Sequence, residues 1–208
     1  AIQFRSDLKE DLALTAQIIA NGANNYDAEV AWAYATYQVS DELNFKFGRS
    51  RIPFFMFSDF LDVGYAYTWV KPPVSVYGDT GSFKNLDGVS MDYNAAVAGW
   101  VSRLTLTGGR SDGPIEVPGL GESDTSVKNM WVGAWSMSRD WFTFRVSHAQ
   151  GDITFSALDG MIDSLTQPPL LGGLGIALTD EEIDQLSIEN DAATFSGIGF
   201  AIDHGNWI

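Results

Sequence analysis

Lys46, Arg103 and Arg145 are the residues whose type and position point most directly to chemistry. Each falls on the polar side of a strand-like alternation. Phe45 and Phe47 flank Lys46, Leu104 and Leu106 follow Arg103, and Phe144 and Val146 flank Arg145. Basic groups fixed on one face act through their field, drawing anions and repelling cations, rather than by making bonds. Gln17 and Glu29 share the non-apolar parity of their own segments, and Arg51 follows the exit of the fourth segment. Asp59 and Asp62 lie just downstream, in an aromatic-rich stretch with Tyr65 and Trp69. A basic wall facing acidic side chains sets a transverse field that sorts ions. The plainer role for Asp59 and Asp62 is to hydrogen-bond their loop to the wall.

Bond-making chemistry has little support. The two histidines, His148 and His204, have no partner at ligand spacing. The run Gly172-Gly-Leu-Gly175 lacks the preceding strand and following helix that a dinucleotide loop needs. There is no Gly-x-Ser-x-Gly elbow. With no cysteine, thiolate metal sites, disulfides and a sulfur nucleophile are excluded. Carboxylates are plentiful, but no pair stands out as an acid and base set for glycoside cleavage. The expectation is a protein that is not an enzyme, with no catalytic residue, no metal and no cofactor.

The elements that position these residues are strands. Period-two alternation recurs along the chain. Ile2, Phe4 and Leu8 oppose Gln3, Arg5 and Asp7, and Leu12 to Ala20 alternates with Thr15 and Gln17 on its polar side. Val30, Trp32 and Tyr34 oppose Glu29, Ala31, Ala33 and Ala35. Val89, Met91 and Tyr93 oppose Ser90, Asp92 and Asn94, while Ile198, Phe200 and Ile202 oppose small residues. Residues 127–137 are ambiguous, with Trp131 and Trp135 on one face. The series comprises nine strands, and Asn206-Trp207-Ile208 reads as the start of a tenth. A short helix is expected near 180–186, where Thr179 and Glu182 form a capping box.

The connections alternate in length. Short turns such as Lys9-Glu10-Asp11, Ser40-Asp41-Glu42 and Ser138-Arg139-Asp140 alternate with long irregular stretches near 21–26, 50–87, 109–126 and 151–193. Long loops at one end and tight turns at the other fit an up-and-down barrel in an outer membrane. Aromatics near strand ends, including Tyr26, Tyr37, Trp100, Trp141 and Trp207, would suit interfacial girdles. Periodicity alone does not separate such a barrel from a sandwich whose apolar faces meet. A net charge of −15, set mostly by loop carboxylates, excludes nucleic acid as a partner. No run of 18 apolar residues exists, so no helix crosses a bilayer, which leaves a barrel open. Ala1 follows no signal pattern, so any export signal is expected to be already removed.

The segment Gly48 to Tyr77 leaves a strand, contains Pro53, Pro72 and Pro73, and is too aromatic for a solvated loop. Its phrases Gly48-Arg49, Arg51-Ile52-Pro53-Phe54, Ser58-Asp59, Asp62-Val63-Gly64-Tyr65 and Trp69 to Pro73 carry a resemblance. So does Trp32-Ala33-Tyr34 through Tyr37-Gln38-Val39-Ser40-Asp41. Together they resemble sixteen-stranded bacterial porins, in particular the group related to phosphate-selective porins of gammaproteobacteria. The resemblance covers most of the chain and is specific within about 27–94. It implies that 50–87 folds inward as a constriction loop, that 43–49 is the fifth strand, and that the protein is a homotrimer. The chain departs from the family in lacking the strands needed to close a sixteen-stranded barrel and the C-terminal aromatic residue, and so looks like a fragment.

The expectation is therefore an all-β, antiparallel up-and-down transmembrane β-barrel, partial at nine to ten strands, with an inward-folded loop at 50–87 and a long extracellular loop at 151–193. It would be an outer-membrane porin passing small hydrophilic solutes or ions, with the lipid bilayer and lipopolysaccharide as partners. Gln17, Glu29, Lys46, Arg51, Arg103 and Arg145 would line the pore, and Asp59, Asp62, Tyr65 and Trp69 would form the constriction. The alternative is a secreted, soluble β-rich carbohydrate-binding module or glycan-active enzyme, in which tryptophans such as Trp69, Trp131 and Trp135 stack on sugars.

Overall fold

A computed structural model describes residues 1–20, 26–58, 84–117, 121–155 and 188–202. They form one antiparallel sheet of nine strands in sequence order. The strands are β1 (Ile2–Asp7), β2 (Leu12–Ala20), β3 (Ala28–Gln38), β4 (Leu43–Arg51), β5 (Asn85–Val97), β6 (Trp100–Val117), β7 (Gly121–Arg139), β8 (Phe142–Phe155) and β9 (Asp191–Ile202). Each strand pairs with its sequence neighbours, the arrangement that short turns between antiparallel strands produce.

The expected barrel is not formed. Among the described residues, β1 pairs only with β2 and β9 only with β8, so the sheet is open and has two edges. A membrane-spanning β-structure must close, because every unpaired N–H and C=O at an edge costs several kcal/mol in hydrocarbon. An open sheet encloses no lumen either. The correction therefore extends to the porin function, the conducting channel, the bilayer and lipopolysaccharide contacts, the trimer and the outer-membrane location.

Two further expectations change. The stretch 109–126 is not an irregular loop: Ser111 to Val117 pair with Val127 back to Gly121. Pro114 is tolerated there because β5 stops pairing at Arg110, which leaves that side of β6 without a partner strand. The other change is on β3. A bulge between β2 and β3 pairs Gln17 with Trp32 and Ile18 with Val30, leaving Ala31 as the extra residue. One extra residue reverses the parity. Trp32 and Tyr34 consequently share the polar face with Gln17 and Thr15, whereas Val30 stays on the apolar one.

The two faces differ sharply. Ile2, Phe4, Leu14, Phe47, Leu106, Trp135, Ile198 and Phe200 lie on one face and are exposed. Monomeric proteins rarely leave apolar patches beyond about 300–600 Å² open. The buried core lies on the opposite, polar side. Ile52 and Leu86 pack with Val127, Met130, Val132 and Ala149, and Phe54, Ile153 and Phe195 close over them. Ile52 and Phe54 belong to the segment that leaves β4 and turns onto this face. Arg145 donates from Nη2 to the Pro53 carbonyl at 2.9 Å, and Ser147 donates to the Phe54 carbonyl at 2.6 Å. These bonds satisfy backbone carbonyls that no ladder reaches. The remainder of 50–87, most of 151–193 and the helix expected near 180–186 lie outside the described residues.

Candidate functional site: a polar trough on the sheet

A trough of about 400 Å³ lies on the polar face beside the core. Its cations come from β1 (Arg5), β4 (Lys46, Arg51) and β6 (Arg103). Trp32, Tyr34 and Thr36 of β3 contribute two rings and a hydroxyl, while β5 supplies Ser90, Asp92 and Asn94. These side chains meet because alternate residues of neighbouring strands share a face and register. Thr36 faces Lys46, Lys46 faces Ser90, and Ser90 faces Thr107. Between Lys46 and Ser50, Gly48 lets the backbones of β4 and β3 approach closely. Its φ of 125° suits glycine, and a Cβ there would sit 2.4 Å from the Ala33 carbonyl oxygen.

The trough's polar groups are held by one another. Lys46 Nζ lies 2.8 Å from Asp92 Oδ2, and Thr105 donates to Asp92 Oδ1 at 2.7 Å. Arg103 Nε donates to the neutral Asn94 Oδ1 at 2.9 Å. The hydroxyls of Ser50, Ser90 and Thr107 form a chain at 3.2 and 2.9 Å. Lys46 sits 5.6 Å from the Tyr34 ring centre and Arg51 sits 5.2 Å from that of Trp32, both in cation–π range. Asn44 Oδ1 is buried in the trough with no hydrogen-bond partner, an acceptor left over for a donor.

The sequence-derived site residues fall into three groups. Lys46, Arg51 and Arg103 line the trough together. Gln17, Glu29 and Arg145 are outside it. Gln17 lies on the same face and donates to Gln3 Oε1 at 3.3 Å, and Arg145 is buried beneath Pro53. Glu29 is an exposed residue opposite Ile19. Asp59, Asp62, Tyr65 and Trp69 lie outside the described residues. Sequence reasoning missed Trp32 and Tyr34 as members of the polar face, and it gave no site role to Arg5, Asn44, Asp92 or Asn94. The alternation of Ser90, Asp92 and Asn94 was the available signal for β5; nothing in the sequence announced the bulge at Ala31. Trp131 and Trp135, candidates for sugar stacking, lie instead on the apolar face, where Trp135 Nε1 donates to Ser102.

Arg49 follows Phe47 onto the apolar face, near its end. It forms a two-pronged pair with Asp87, Nε to Oδ1 at 2.8 Å and Nη2 to Oδ2 at 2.7 Å. The hydrogen bond from Arg49 holds the Asp87 carboxyl below its ordinary range, and the same bond raises the Arg49 guanidinium. Among the described residues, no group of three His, Cys, Asp or Glu side chains could hold a metal ion.

No family model and no curated protein matches the chain. Among solved structures, it is similar to OmpTdeltaL8, a loop L8 deletion mutant of OmpT, an outer membrane protein of Vibrio cholerae. The identity is 11% and the TM-score 0.31, over 73% of this chain and 59% of that one. The chain thus spans 59% of the length of the structure it matches. The likeness is loose: a β-strand-rich fold with a partial resemblance to an outer-membrane β-barrel protein, and no support for a phosphate-selective porin in particular.

Proposed function

We propose that this chain is a β-rich carbohydrate-binding module that holds its ligand in the trough without turning it over. The observation that carries the reading is the company kept there by the Trp32 and Tyr34 rings. Sugars have apolar C–H faces that rest on aromatic rings, and hydroxyls that both donate and accept. The trough offers rings, hydroxyls, an amide acceptor in need of a donor, and one carboxylate. Its volume of about 400 Å³ is in the range of small-ligand sites, about 300–1,000 Å³.

Binding without turnover follows from the carboxylates. Glycoside cleavage needs two of them flanking the bond. Asp92 is the one carboxylate among the described lining residues, and it is engaged by Lys46 and Thr105.

Calorimetric titration with a panel of oligosaccharides tests the reading. Saturable binding that weakens in Trp32→Ala and Tyr34→Ala is the expected result. An unaltered, folded chain that binds no oligosaccharide in the panel at millimolar concentration sinks it. Detergent-free sedimentation is a second check, because a module of this kind stays in solution.

A further inference from the structure

We infer that the outer edge of β9 docks a second copy of this chain, the two β9 strands pairing antiparallel about a two-fold axis so that the two sheets run on as one. Natural sheets guard their edges with short strands, charges, prolines or bulges, because an unpaired row of N–H and C=O groups takes up another strand. β1 is guarded in this way. It has six residues, and Arg5 and Asp7 place an exposed ion pair on it at 3.1 Å. β9 carries none of these devices. It runs for 12 residues with no lysine and no proline, and its one charge is Asp191 at the start. Its ladder with β8 keeps a single register from Asp191 to Ile202, so no bulge turns the edge aside. The flank of β9 is also open. Ile198 is 79% exposed and Phe200 71%, against 44% for Leu14, 48% for Phe47 and 45% for Leu106 on inner strands of the same face. A side chain on an inner strand is covered from both sides, whereas these two are covered from the β8 side alone among the described residues.

A second copy fits this edge because β9 is complementary to itself. A two-fold axis normal to the sheet sets the two strands antiparallel and keeps like faces together. Residues directly opposite in an antiparallel pair share a face. Ile198, Phe200 and Ile202 then continue the apolar row of the partner copy, while Gly197, Gly199 and Ala201 meet small residues on the other face. Asp191 sits at the end of the strand, so the pairing brings few like charges together even in a chain of net charge −15. Pairing β9 with β1 of another copy is poorer. With faces matched those two strands run parallel, the less stable ladder, and β1 offers half the length.

The test is sedimentation equilibrium of the intact chain without detergent, from about 2 to about 200 μM, a range that brackets micromolar affinities. A reversible rise from monomer to dimer mass is the expected result. Ile198 and Ile202 are exposed, so Ile198→Lys/Ile202→Lys should keep its circular dichroism spectrum and weaken the dimer at least about tenfold. The chain has no cysteine, so single spin labels report position cleanly. Labels at Thr194→Cys and Ile198→Cys should show short distances between copies, and labels at Phe4→Cys and Phe47→Cys should not. A monomer at every concentration overturns the inference, as does a dimer that the double lysine variant leaves intact. Short distances at Phe47→Cys mean that the copies meet through their apolar faces, and overturn it. Mass that grows past the dimer, with β1 close to β9 of the next copy, reveals a head-to-tail chain and overturns it too.

Discussion

Arg51 lies over the indole of Trp32, with its guanidinium carbon 5.2 Å from the ring centre. The ring thus holds a cation in place on the trough wall as well as offering a surface to a ligand. Cation–π contacts of this kind contribute about 0.5–1 kcal/mol when exposed and about 2 or more when desolvated. Trp32→Ala removes both roles, and oligosaccharide binding should weaken at least about fivefold, equivalent to ~1 kcal/mol. Trp32→Phe keeps a ring in position and should recover part of the loss. Calorimetry on the two variants checks this, and identical losses would show that the ring itself is not used.

Gly48 lets β4 run close against β3 because it carries no side chain. Its φ of 125° is one that other residues rarely adopt, and a Cβ would meet the Ala33 carbonyl oxygen at 2.4 Å. The obstacle is backbone, so it cannot swing aside. Gly48→Ala should destabilise the fold by about 1–3 kcal/mol. Urea denaturation reads this as a lower midpoint at unchanged slope. A midpoint within error of the parent would mean that β4 relaxes freely at this bend.

Stability should depend on the polar side of the sheet far more than on the apolar side. Ile52 is 2% exposed and packs with Leu86, Val127, Met130, Val132 and Ala149, so Ile52→Ala should cost about 2–5 kcal/mol. Phe200 is 71% exposed, and Phe200→Ala should stay within about 0.5 kcal/mol. The contrast inverts what hydrophobicity alone would rank, since phenylalanine is the larger residue. Paired denaturation curves settle it. A large loss at Phe200 would show that the apolar face is already covered in solution.

The strands were legible because alternation at period two is a direct consequence of the pleat, and all nine recur in the structure in sequence order. Their ends and their closure were not. Asp112-Gly113-Pro114 has the composition of a loop, yet it continues β6, because pairing with β7 outweighs local preference where the other side of the strand is free. Trp32 changed faces through one unpaired residue, Ala31, and a bulge leaves no mark in an alternating run. Closure depends on whether the first and last strands meet, a long-range relation that no segment encodes by itself. Lys46 and Arg103 could be placed on the polar face from parity alone. Their company in the trough, Tyr34, Asp92 and Asn94, depended on the register between strands.

The Asp87–Arg49 pair should make stability depend on acidity in a defined direction. Asp87 is held below its ordinary range in the folded chain, first by the hydrogen bond from Arg49 and then by the charge of Arg49 and, more weakly, Arg110. A carboxyl depressed by folding contributes stability that is fully present above its unfolded value, about 3.9. That contribution fades as pH falls through the lower folded value, because protonation then occurs in both states. Arg49 shifts upward, so its own contribution is lost only at alkaline pH above the arginine range. Both side chains are more than a third exposed, which limits the pair to roughly 0–1 kcal/mol after solvent screening. Asp87→Asn should therefore melt slightly below the parent at pH 6–7, and the gap should close as pH drops below about 4. Added salt at neutral pH should narrow it too. Thermal melts of both proteins from pH 7 to pH 2.5 provide the check. A gap that persists unchanged to pH 2.5 would mean that Asp87 acts through packing or a neutral hydrogen bond, not through its charge.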